Sequence, residues 1–103
     1  MPILNVPNEV EIELTHRCNW NCRYCAIRTH CLPAVPEDEA MDKVRAAAGN
    51  FRTVTFSGGE PGLMPRNVLE RMVECVKSSG SALCINTNGT FIRKYPDMVN
   101  SFD

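Results

Sequence analysis

Thr53-Val54-Thr55-Phe56-Ser57-Gly58-Gly59 is a run of β-branched and aromatic residues cut off by two glycines, and it reads as a strand with a helix on either side. Upstream, Pro36 opens a helix whose first turn carries Glu37, Asp38 and Glu39, favourable charges at the positive end of a helix dipole. Ala40, Met41, Val44, Ala47 and Ala48 recur at helical spacing as its buried stripe, and Gly49 ends it. Downstream, Pro65 starts a second helix with Val68, Leu69, Met72, Val73 and Val76 on its apolar face, Lys77 late in it and Gly80 beyond its end. Two further strands lie outside these helices. Val10-Glu11-Ile12-Glu13-Leu14-Thr15 alternates with period two, so Val10, Ile12 and Leu14 share one face and Glu11, Glu13 and Thr15 the other. Residues 82–86 form the third strand. Past Gly89, residues 91–100 read as a third helix that Pro96 starts or kinks. Asn88-Gly89, set between Leu83/Ile85 and Thr90/Ile92, is also a β-hairpin signal. The strand–helix order before it favours a third βα unit.

Strands that alternate with helices imply an α/β fold with a parallel sheet, because parallel neighbours need a crossover between them. Parallel connectivity brings the loops after all three strands out on one rim, at the carboxyl ends of the strands, where α/β proteins build their sites. The unusual residues of this chain fall in those loops: 18–25, 57–61 and 87–89.

The bulk properties narrow the function classes. A chain of 103 residues has room for one domain, here residues 10–103 after a lead-in at 1–9. A composition of 44% hydrophobic and 22% charged residues argues for a folded protein rather than a disordered one. Net charge is −1 with basic residues scattered, which lacks the footprint of a nucleic-acid binder. The start, Met1-Pro2-Ile3-Leu4-Asn5, carries no signal-peptide pattern, and apolar runs are far too short for a membrane span. The expected location is the cytoplasm, where six cysteines point to metal-bound thiolates rather than a disulfide framework. Cys75 and Cys84 sit in apolar periodic segments and are expected to be buried small residues.

Cys18-Asn19-Trp20-Asn21-Cys22-Arg23-Tyr24-Cys25 spaces three thiolates as C-x3-C-x2-C, a soft donor set suited to iron–sulfur clusters and to zinc. A [4Fe–4S] cluster held by three cysteines keeps one iron open. A structural zinc would need a fourth ligand from His30 or Cys31, and a closed redox cluster would take Cys31. Gly58-Gly59 is the backbone freedom a tight turn asks for. Glu60, extended because Pro61 follows it, offers an acceptor on the same rim, against the alternative of a solvated loop acid. His16 and His30 read as loop residues, and Trp20 as a shield for the cysteine loop. Arg17, Arg23 and Arg28 could meet an anionic partner such as an electron donor, against the commoner reading of solvated surface arginines.

Cys18, Cys22 and Cys25 at the end of a first strand resemble the defining motif of the radical S-adenosylmethionine (SAM) superfamily. Ser57-Gly58-Gly59-Glu60-Pro61 resembles its GGE motif, and Asn86-Thr87-Asn88-Gly89-Thr90 a TNG segment found in members that mature cofactors or modify peptides. The resemblance covers nearly everything from Val10 onward. It implies a [4Fe–4S] cluster on the three cysteines, with SAM chelated at the open iron. Tyr24 would lie beside the adenine, Gly58, Gly59 and Glu60 at the methionine amino group, and Thr87 and Asn88 nearby. The implied reaction is reductive cleavage of SAM to a 5′-deoxyadenosyl radical, which abstracts hydrogen from a substrate. The electron would come from a donor of flavodoxin or ferredoxin type. The family core has six βα units in a partial TIM-type barrel, and this sequence supplies the first three, with Phe102-Asp103 where a fourth strand would begin. The expectation is therefore a truncated core that self-associates or meets a complementary chain. The alternative function is a non-catalytic metal-binding fragment with Cys31 as fourth ligand.

Overall fold

The computed structural model describes residues 8–17 and 34–103. Three strands, β1 (Glu9–Thr15), β2 (Thr53–Gly58) and β3 (Ala82–Ile85), form one sheet in the order β1-β2-β3, parallel throughout. Helix α1 (Glu37–Ala47) leads from the first loop to β2. Helix α2 (Arg66–Ser79) leads to β3 after a single 3-10 turn at Pro61–Leu63. A short helix, α3 (Thr90–Lys94), and a 3-10 turn at Pro96–Ser101 complete the order. The α/β reading and the parallel connectivity stand.

The period-two pattern of β1 is realised in its burial. Val10 pairs in register with Val54 and Leu83, and Ile12 with Phe56 and Ile85, so these residues share the face that the helices cover. One core results, in which Leu14, Val54, Phe56 and Leu83 are fully buried against Ala40 and Val44 of α1 and Leu69, Met72 and Val76 of α2. Each such side chain contributes about 1.5–3 kcal/mol when fully buried. The opposite face carries Glu11, Thr55 and Cys84 in one register row and Glu13 and Ser57 in the next. Glu11 and Glu13 are exposed on it. No helix covers that polar face within the described residues.

The caps follow the expected chemistry. Pro36 and Pro65 are the extended residues that precede α1 and α2. Gly80 closes α2 in the left-handed region, at φ 90°. The hairpin does not form. Gly89, at φ 103°, leads into α3 instead, and the amide groups around it are engaged by the loop after β2. The third helix is also shorter than residues 91–100, because Pro96 has no N–H and α3 stops at Lys94 before continuing as a 3-10 turn. Beyond it Phe102 is extended (φ −98°, ψ 147°), and Asp103 sits on the free edge of β3. The Asp103 N–H donates to the Leu83 carbonyl at 2.7 Å, and its Oδ2 accepts from the Leu83 N–H at 2.7 Å.

Cys75 and Cys84 are half-buried rather than buried: Cys75 lies at the margin of the core and Cys84 on the polar sheet face. No helix among the described residues is long and apolar enough to cross a membrane.

Candidate functional site

The carboxyl ends of the strands are drawn together by backbone pairing that runs past the strands themselves. After a register shift between Glu13 and Thr15, the chain leaving β1 stays against the chain leaving β2. The Gly59 N–H donates to the Thr15 carbonyl and the Glu60 N–H to the Arg17 carbonyl, each at 2.7 Å. This contact explains both glycines. A Cβ on Gly58 would lie 2.2 Å from the Thr15 carbonyl oxygen, and one on Gly59 2.1 Å from that of Arg17. Gly58 also has φ +116°, which side chains avoid. The segment that enters the cysteine loop is thus fixed, through Arg17, onto the Gly58-Gly59 turn.

Glu60 is not a solvated loop acid. It is fully buried, at 0% exposure. The 3-10 turn that follows folds the chain back, so the carboxylate accepts from the Gly62 N–H at 2.7 Å. The loop after β3 supplies the remaining donors. Thr87 Oγ1 lies 2.7 Å from Oε1 and 2.9 Å from Oε2, the Asn88 N–H 2.8 Å from Oε1 and the Phe91 N–H 3.0 Å from Oε2. A buried carboxylate is costly unless its lone pairs are met, and here four donors meet them. The Thr87 hydroxyl accepts from the Gly89 N–H at 3.1 Å, which leaves its proton for Glu60. Asn88 Oδ1 accepts from the Thr90 N–H at 3.0 Å and so shapes the entry to α3.

The structure therefore brings Gly58, Gly59, Glu60, Thr87 and Asn88 to one place at the strand ends. Cys18, Cys22, Cys25, Tyr24, Trp20, Arg23, Arg28, His30 and Cys31 lie outside the described residues. His16 is at the same rim, its Nε2 2.7 Å from Glu13 Oε2. Ser57, one residue before the glycines, has a buried Oγ with no hydrogen-bond partner among the described residues. Sequence reasoning passed over Gly62, where a Cβ would lie 2.5 Å from Glu60 Oε2 and 2.5 Å from the Phe91 nitrogen. A glycine two residues after a buried acid was the available signal. A groove of about 490 Å³ lies between the edge of β1 and α1 among the described residues, lined by Val10, Ile12, Lys43 and Phe51, away from this chemistry. A second groove of about 320 Å³ lies on the polar sheet face, among Glu11, Thr55, Cys84 and Asn86.

Comparison with known proteins gives a consistent picture. Residues 12–103 match the family model described as the Radical SAM superfamily. The chain is 35% identical over 89 residues to the S-adenosylmethionine-dependent nucleotide dehydratase of Lacinutrix mariniflava, covering 79% of this chain and 18% of that protein. It is 34% identical over 92 residues to the GTP 3′,8-cyclase of Moorella thermoacetica, covering 82% and 28%. It is 30% identical over 73 residues to the 7-carboxy-7-deazaguanine synthase of Haemophilus influenzae, covering 71% and 33%. The chain thus spans between 18% and 33% of the length of these curated relatives. No solved structure matches it.

Proposed function

The chain belongs to the radical SAM superfamily, and from that premise we propose that it binds a [4Fe–4S] cluster through Cys18, Cys22 and Cys25 and SAM at the iron left open. The observation that carries this reading is the convergence of three strand exits on one rim. Thr15 and Arg17, at the mouth of the cysteine loop, are hydrogen-bonded to Gly59 and Glu60, and Glu60 in turn to Thr87 and Asn88.

The residues present fit such groups. Three thiolates are a soft donor set for iron, and the buried Ser57 Oγ, without a hydrogen-bond partner among the described residues, suits a rim that accepts a polar ligand. When bound, the cluster supplies the electron for reductive cleavage of SAM to a 5′-deoxyadenosyl radical that abstracts hydrogen from substrate. The protein's part is to bind and orient. Gly58 and Gly59, with Thr87 and Asn88, would hold the methionine end, and Glu60 would fix their positions from behind. Tyr24, by the same family resemblance, would take the adenine. A flavodoxin or ferredoxin is the class of partner that delivers the electron.

Anaerobic reconstitution with iron and sulfide tests the ligand set. The chain should take on broad absorption at ~400 nm, the mark of a thiolate-held cluster. Cys18→Ala, Cys22→Ala and Cys25→Ala should each abolish it, while Cys75→Ala and Cys84→Ala leave it. If Cys31→Ala removes the cluster as completely as those three, the site has four protein ligands and the open-iron reading fails.

A further inference from the structure

Resting on that reading, we infer that Glu60 is a positioning residue: its carboxylate fastens the segment 87–91 against the glycine turn and does not itself touch a ligand on the rim. Every described contact of the carboxylate is inward. Its two oxygens take four donors, three of them backbone N–H groups fixed by the chain's path, and it has no exposed surface. An ammonium seeking this carboxylate would have to displace those donors, taking from buried N–H groups the acceptor they now use. What the carboxylate does achieve is registration. Residues 60 and 62 follow β2, and residues 87, 88 and 91 follow β3, so one side chain locks the exits of two neighbouring strands at a fixed offset. Gly62 belongs to the same device, since a methyl there would enter between the carboxylate and the Phe91 amide.

The consequence is that Gly62→Ala, which alters the packing behind the rim and no residue on it, should weaken SAM binding as Glu60→Gln does. In the reconstituted chain, Glu60→Gln, Thr87→Val and Gly62→Ala should each reduce SAM affinity by about tenfold or more, and Glu60→Gln with Thr87→Val together by little more than either alone. The SAM-induced change in the paramagnetic signal of the reduced cluster is the binding readout. Val76→Ala is the control for general destabilisation. Val76 is fully buried at the far end of α2, so its loss should lower the unfolding midpoint without altering SAM affinity. Independently of SAM, the unfolding midpoints of the Glu60 and Thr87 single and double variants should show strong non-additivity. Two results would overturn the inference: additive unfolding losses, or a Glu60→Gln that abolishes SAM binding while Gly62→Ala and Thr87→Val bind normally. A wild-type chain whose cluster signal ignores SAM would sink the functional reading instead, and the unfolding cycle would still decide whether Glu60 and Thr87 act as one unit.

Discussion

At the scale of single residues, the two glycines at the end of β2, Gly58 and Gly59, carry the tightest constraint among the described residues. Each faces a backbone carbonyl from the β1 exit at a distance no Cβ tolerates, and backbone cannot step aside as a flexible side chain can. Gly59→Ala should therefore destabilise the chain by about 3 kcal/mol, the upper part of the range for overpacking. Gly80→Ala should cost about 1 kcal/mol, because Gly80 sits at φ +90° with nothing within 4 Å of a new methyl. Denaturant unfolding of the two variants checks the contrast; equal losses would mean that the packing of residues 15–17 on the turn is not what demands glycine. The glycines were legible in the sequence because a turn demands them. The fate of Glu60 was not. Three of its four donors, two backbone amides and a hydroxyl, are supplied 27 to 31 positions later, and neither a motif nor a periodicity reports where a distant N–H will point.

Among the elements, the strands and the two long helices follow from pattern alone, since apolar stripes, proline starts and glycine ends all agree with one another. The segment after β3 does not, because Asn88-Gly89 suits a hairpin and a helix entry equally. The choice is made by the tertiary acceptor Glu60, which captures the Asn88 and Phe91 amides. Phe91 then anchors α3 in the core through edge-on contacts with Tyr95 and Phe102. The outer side of this region is pinned by carboxylates. Arg66 forms a paired hydrogen bond with Asp97, holding that carboxyl below the usual range. The Leu83 N–H and then Lys77 lower Asp103 in the same sense. A folded-state pKa below the unfolded one means stability that is present above about pH 4 and lost as pH falls through the lowered values. Unfolding measured from pH 6 down to pH 2 should show that acid loss, and Asp97→Asn should flatten part of it; an unchanged slope in the variant would remove Asp97 from the account. Both carboxylates are exposed, so the effect is also expected to shrink with added salt.

On the scale of the whole molecule, a parallel sheet with helices on one face leaves the other face to be met by something else, since such sheets are normally covered on both sides. Among the described residues that other face is polar and has no helix over it, with Glu11, Glu13 and Thr55 upon it, and β1 is paired on one side only. Size exclusion with light scattering on the 103-residue chain is expected to find self-association or a chain without a cooperative melt; a well-behaved monomer of 11.5 kDa would show that three βα units suffice alone. The order of strands, the single rim and the family were readable from sequence, because alternation of elements and the spacing of cysteines are local signals. The polar face and the locked rim needed coordinates, since both arise from how distant segments meet. The central claim is that this rim presents a cluster with an iron open to SAM. Electron paramagnetic resonance of the anaerobically reconstituted, reduced chain, recorded with and without SAM, tests it most directly. The account predicts a cluster signal that changes on adding SAM and saturates with it; a reduced cluster whose spectrum is identical in the presence and absence of SAM would contradict it.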